Sequence, residues 1–296
     1  MQGMLPDQTH FLVSGIPSRH YFSRAILEDL AGEESAPPQI LLPAKATKAL
    51  GLLLDDYAKK KDPAADPAAI RQQALADLLP GKKLYIDSNI PPGKGLGSSS
   101  TDILSVLALV NGYLGAGYST EDLYSMAAAV EPTDPCLSDG ILLFRQQAGK
   151  TGEQLFLPPL DIVYFDAWPG HTIDTLELPR RYSPSRCRDF AALLRDFLLA
   201  ARDNDYAALF HCVTQSALYN QDILALPHFD LYRQFAAEQD AGLVLAHSGT
   251  ILGFITPADR TSHLLPKVQR LAQLHGGALP RTETWDPHKL SYHCNE

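Results

Sequence analysis

The residues with the clearest chemical potential run from Ile90 to Thr101: Ile-Pro-Pro-Gly-Lys-Gly-Leu-Gly-Ser-Ser-Ser-Thr. Glycines at 93, 95 and 97 let the backbone take positive φ and bring its amides close to an anion. A helix beginning on the serines that follow would offer unpaired amides and the positive end of its dipole. The serine hydroxyls suit a phosphate oxygen or a magnesium ion, and Lys94 either adds a full charge or is merely solvated. Phosphate binding is therefore the chemistry this segment suits, with Pro92, Gly93, Lys94, Gly95, Leu96, Gly97, Ser98, Ser99 and Ser100 as candidate contacts. Two other phosphate loops are excluded. A Walker A loop ending in Gly149-Lys150-Thr151 has Phe144 where its first glycine belongs, and a dinucleotide fingerprint beginning at Gly93 meets Ser98 instead of glycine.

A bound phosphate group needs its charge neutralised, and magnesium, which prefers carboxylate and hydroxyl oxygens, can do so. The acidic segment Glu131-Pro132-Thr133-Asp134 lies 30 residues or so downstream of the serines. Asp134 and Asp139 are both candidates for orienting or deprotonating an acceptor hydroxyl. Asp134 is preferred for its place in the compact acidic motif, although each also reads as a turn residue, beside Pro135 and Gly140.

These residues need elements to position them. Residues 83–90 alternate in polarity and predict a strand leading into the glycines, while residues 99–114 carry Ile103, Leu104, Leu107 and Val110 on one helical face. A helix over about 120–130 opens on Ser119-Thr120-Glu121-Asp122, a capping-box pattern, and delivers Glu131 at its end. Strands are expected near 11–14, 40–42, 141–144, 162–165, 242–247 and 252–256. Further helices are expected at 44–57, 66–79, 185–202, 206–220, 229–240 and 262–275, the second of them capped by Asp66 with Pro67 at its first position. Residues 149–152 read as a loop. Alternating strands and helices in both halves predict an α/β or α+β chain, with a boundary near residue 160.

Composition narrows the class. The chain has 296 residues, 45% of them apolar, which is enough for one large or two ordinary domains with a real core. A net charge of −9 argues against a general nucleic-acid binder. No window approaches a membrane span, and the first residues lack the pattern of a signal peptide, so a cytoplasmic enzyme is expected. Cys136, Cys187, Cys212 and Cys294 are widely separated and fit reduced thiols rather than a disulfide framework or a zinc site. His288, His293 and Cys294 read as an exposed tail.

Residues 90–101 resemble the signature of the GHMP kinases, the family of galactokinase, homoserine kinase, mevalonate kinase and phosphomevalonate kinase. The family pattern is an aliphatic residue, proline, a small-residue stretch and then Gly-Leu-Gly-Ser-Ser. The resemblance implies an N-terminal domain like ribosomal protein S5 domain 2 (residues 1–160) and a ferredoxin-like C-terminal domain (residues 161–296). It implies ATP and Mg2+ as cofactors, and Glu131 as a metal ligand together with Ser98 or Ser99. It further implies Asp134 as the acid nearest the acceptor, and the segment from Gly242 to Thr250 as the C-terminal glycine loop, with Ser248, Gly249 and Thr250 as acceptor contacts. His247 is either a ligand contact or a packed strand end. The segment from His171 to Thr175 resembles the start of the C-terminal domain and is given no catalytic role. Together, these segments resemble most closely the branch that phosphorylates L-threonine for the cobalamin side chain, which makes L-threonine the expected acceptor. Homoserine, a sugar, or ATP binding without turnover are the alternatives. In one respect the chain departs from the pattern: residues 2–3 stand where the family's Gly-Glu-type motif would be ending, so the family's first strand is expected to be missing.

Overall fold

A computed structural model describes residues 1–30, 36–61, 79–174, 178, 182–246 and 248–287. In chain order the strands of the N-terminal half are β1 (Gln2–Met4), β2 (His10–Val13), β3 (Ser23–Asp29), β4 (Gln39–Leu41), β5 (Lys82–Ser88), β6 (Ile141–Arg145) and β7 (Lys150–Leu155). Its helices are α1 (Ala44–Lys61), α2 (Ser98–Leu114) and α3 (Thr120–Ala128). The C-terminal half holds β8 (Leu160–Asp166), α4 (Pro184–Asp203), α5 (Tyr206–Asn220), α6 (Phe229–Glu238), β9 (Gly242–Leu245), β10 (Ile251–Pro257), α7 (Thr261–Leu274) and β11 (Arg281–Trp285).

Three sheets result. One is ordered β1-β2-β6-β7, a second β3-β5-β4, and the third β11-β8-β10-β9. All pairs are antiparallel except β4 with β5. The mixture of helices and strands is the α/β class expected.

Each half has its own apolar core. Ile103, Leu104, Leu107 and Val110 of α2 pack with Leu50, Leu53 and Leu54 of α1, so α2 is buried along its length. Val163, Phe165, Leu243 and Phe254 anchor the second core between the third sheet and helices α6 and α7. A third cluster crosses residue 160, joining Phe11 and Ile141 to Phe190, Phe197 and Phe210. Phe11 and Phe190 meet edge to face at 6.2 Å, and Gly3 leaves the room that Phe190 occupies.

Local chemistry explains most boundaries. Ser119 and Asp122 form the anticipated capping box at the start of α3. Ser183 caps α4 with Pro184 at its first position, and Asp205 caps α5. Four strands differ from expectation. Residues 2–4 are an edge strand against β2, where the family pattern predicts only the end of a loop. The expected loop at 149–152 is instead the entry to β7, whose exposed polar residues pair with β6. β3 and β11 carry charged and polar residues on half-open faces, so neither presents a clean apolar alternation. The helix expected at 66–79 and the tail residues His288, His293 and Cys294 lie outside the described residues, as does His247.

Candidate active site

Strand β5 ends at Ser88, the chain turns through the glycines, and α2 begins at Ser98. Gly93, Gly95 and Gly97 all have positive φ, at 68°, 82° and 71°. Gly97 stands at the helix N-cap and no side chain caps it, so the amides of the first turn are left for another acceptor. Ser98, Ser99 and Ser100 line a cavity of about 420 Å3 at this point, together with Pro92, Gly93, Gly95 and Gly97. Leu96 and Lys94 do not line it.

The loop is clamped from the C-terminal half. The Lys94 carbonyl accepts from the amides of Thr250 (3.1 Å) and Ile251 (3.2 Å), and the Gly93 carbonyl from that of Ile173 (2.9 Å). The approach is so close that a Cβ on Gly249 would lie 2.1 Å from the Lys94 carbonyl carbon. One on Gly95 would lie 2.4 Å from the Ala246 side chain. Both positions therefore need glycine for space.

Lys94 is placed differently from a phosphate ligand. Its Nζ donates to Asp166 Oδ2 at 2.6 Å and to the His171 carbonyl at 2.5 Å, tying the loop to the end of β8. Of the C-terminal glycine loop, Ser248 lines the cavity, whereas Gly249 packs on the phosphate loop and Thr250 is fully buried.

The acidic motif meets the loop in the same cavity. Glu131 and Asp134 both line it, while Asp139 is exposed and outside its lining. Glu131 has a side chain only 4% exposed, and its Oε2 is 2.6 Å from Lys45 Nζ. Burying a carboxylate is costly unless it is paired, and Lys45, at the start of α1, provides the pairing charge. Asp134 accepts from Gln146 Nε2 at 2.8 Å through Oδ1, and its amide donates to Ser100 Oγ at 3.1 Å. Its Oδ2 is 3.2 Å from where a Gly97 Cβ would stand, so glycine there keeps the oxygen open. Burial pushes the Asp134 carboxyl above the ordinary aspartate range, the Gln146 hydrogen bond opposes this, and the Glu131 charge adds to the rise.

Lys45, Gln146 and Asn220 line the cavity without any sequence motif having marked them. Lys45 and Gln146 carry no pattern that would have singled them out. Asn220 does have a signal: it continues the buried stripe of Val213, Ser216 and Ala217 on α5, so a polar residue occupies a core position. No group of three or more His, Cys, Asp or Glu side chains among the described residues forms a metal site.

Residues 57–139, which span the loop and the acidic motif, match the family model of the GHMP kinases N-terminal domain. That stretch is similar to a GHMP kinase N-terminal domain. Two curated relatives are similar over a longer stretch. The L-threonine kinase of Salmonella typhimurium is 26% identical over 196 residues, covering 63% of each chain. That of Citrobacter freundii is 28% identical over 198 residues, covering 64% of this chain and 67% of the relative. The match to the Salmonella protein thus spans under two thirds of that protein's length. A solved homoserine kinase from Cytophaga hutchinsonii has a similar fold over 94% of this chain and 88% of its own, with a TM-score of 0.62 at 15% identity. No described helix is long and apolar enough to cross a membrane.

Proposed function

We propose that this protein is an ATP-dependent small-molecule kinase that transfers the γ-phosphoryl group to an alcohol, with L-threonine as the acceptor and O-phospho-L-threonine as the product. The observation that carries the reading is one cavity joining a glycine phosphate cradle to Glu131 and Asp134. The threonine kinases among its relatives support the acceptor assignment.

In this reading the loop amides and the first turn of α2 hold the phosphates, and Lys94 and Gly249 fix the loop in place. Mg2+, held by Glu131 and Ser98 or Ser99, would supply charge neutralisation at the phosphates. Lys45 then exchanges Glu131 for phosphate oxygens. The acceptor hydroxyl oxygen attacks the γ-phosphorus while the bond to the bridging oxygen breaks and ADP departs. Asp134 takes the hydroxyl proton on Oδ2, since Gln146 already engages Oδ1. Its elevated proton affinity makes it a better base than an ordinary aspartate. Positioning and electrostatics supply most of the rate gain.

ADP release from Mg-ATP across L-threonine, L-serine, L-homoserine and several sugars, with Glu131→Gln as the control, tests the reading. Selective turnover of threonine, lost in the variant, is the expected result. A preference for homoserine would move the acceptor assignment to the second reading, which the homoserine kinase relatives favour. ATP binding without turnover on any acceptor would overturn the kinase reading.

A further inference from the structure

Asn220 is the last residue of α5 and stands in the wall that the C-terminal half contributes to the cavity. It is 1% exposed, and its carboxamide nitrogen has no hydrogen-bond partner among the described residues. A buried amide donor without a partner is costly, and native proteins keep one only for a reason. The Asn220 carbonyl already closes the turn after α5 by accepting from the Ile223 and Leu224 amides, both at 2.9 Å. The backbone there is fixed and the side chain is left over.

We infer that Asn220 is an acceptor-binding residue, whose carboxamide N–H is reserved for an oxygen of the small polar acceptor, in a hydroxy amino acid its carboxylate. The inference rests on the kinase reading and names the wall that holds the acceptor. The phosphate loop, Glu131 and Asp134 occupy the other contributions to the same cavity, so an acceptor held by Asn220 shares one enclosure with the transferring group. The terminal torsion of asparagine is broad, so the carboxamide turns about its Cβ–Cγ bond to present the donor without moving the helix. Asn220 would thus set specificity through a donor, whereas Asp134 acts on the proton.

The test compares wild type with Asn220→Ala and Asn220→Asp, measuring KM for L-threonine and for ATP separately by ADP release, along with Tm. L-Threoninol, which lacks the carboxylate, is the second probe. Asn220→Ala is expected to raise KM for threonine by about 10- to 100-fold, the range for a lost hydrogen bond to a charged group, with KM for ATP within about threefold of wild type. Asn220→Asp replaces the donor by a charge that repels a carboxylate, so it is expected to penalise threonine more than threoninol. Equal KM for threonine in wild type and Asn220→Ala would overturn the assignment, as would threonine and ATP KM rising in parallel. If Asn220→Asp does not fold, Asn220→Ala decides alone. A wild-type protein that binds ATP but shows no acceptor-dependent ADP release refutes the kinase reading itself, a result distinct from an active wild type that is indifferent to Asn220.

Discussion

Removing the Lys45 ammonium isolates a single electrostatic interaction at the centre of the site. Lys45 Nζ lies 2.6 Å from Glu131 Oε2, with the glutamate side chain 4% exposed and the lysine 35% exposed. Breaking a fully buried pair by deleting one partner costs about 3–5 kcal/mol, because the surviving charge is stranded. An exposed pair is worth about 0–1 kcal/mol. Here the stranded charge is the buried one, but water reaches the lysine side of the pair, so Lys45→Met is expected to cost about 2 kcal/mol. At about 2–4 °C per kcal/mol for chains somewhat shorter than this one, the fall in Tm is about 4 °C. Glu131→Gln removes the charge instead of its partner, and leaves Lys45 with access to solvent, so it costs less. The double variant is expected to resemble Glu131→Gln, giving a coupling of about 2 kcal/mol, the full cost of Lys45→Met, in the double-mutant cycle. Differential scanning calorimetry in metal-free, low-salt buffer reads these values. Repeating the scans with Mg2+ and ADP adds a second check: the added cation should restore stability to Lys45→Met but not to the double variant. A Tm for Lys45→Met within a degree of wild type would refute the reasoning, since Glu131 would then need no cationic partner.

Asp134→Asn keeps the acceptor for Gln146 but removes the base, so kcat is expected to fall by about 10^2- to 10^4-fold. Because burial raises the Asp134 carboxyl in the folded state, its contribution to stability is present below the ordinary aspartate range and is lost as pH rises through the raised folded value. Asp134→Asn should therefore gain in Tm relative to wild type between acid and neutral pH; a constant difference across that range would sink the idea. Lys94→Met and Asp166→Asn should each weaken ATP binding by about three- to tenfold, and the double variant no further, because both act through one ion pair that positions the loop. If Lys94 instead binds phosphate directly, Asp166→Asn will bind ATP as well as wild type or better. Gly249→Ala places a methyl against the Lys94 backbone and should cost about 1–3 kcal/mol in thermal unfolding together with weakened nucleotide binding. Gly112→Ala, a helix position with nothing within 4 Å of the new Cβ, is the control expected to be neutral or stabilising.

The sequence carries more information about the loop than about its surroundings, for physical reasons. Glycines at 93, 95 and 97, a preceding alternating strand and a following apolar helical face are all local signals, and the structure has strand, turn and helix where they indicate. Glu131 and Asp134 are legible because they share one short motif. The direction of the Lys94 side chain is not local: it depends on Asp166, 72 residues away, and on the path of the chain through His171. Lys45 reaches Glu131 across 86 residues and announces itself by no spacing. Strands β3, β7 and β11 escape for a related reason. Each is polar on a half-open or edge position, where pairing with a neighbour rather than burial of an apolar face makes the strand.

The same non-local placement explains how a polar atom without a partner comes to stand in the cavity wall. Among the described residues, the buried side-chain atoms lacking a hydrogen bond are Thr133 Oγ1, Asp161 Oδ1, Asn220 Nδ2, the Tyr232 hydroxyl and Thr250 Oγ1, and of these residues Asn220 is the one that lines the cavity. Thr133 lies between Glu131 and Asp134, Asn220 is in the wall, and Thr250 donates its backbone amide to the phosphate loop. A fold selected for stability alone would replace such groups with apolar ones of similar shape, since an unpaired buried donor or acceptor is a net cost. Retaining Asn220 fits a site whose hydrogen bonds are completed by its substrates. By that argument, binding should stabilise this protein more than contact area alone would give. The gain should also fall in Asn220→Ala, with the acceptor's share of the thermal shift lost and the nucleotide's share kept.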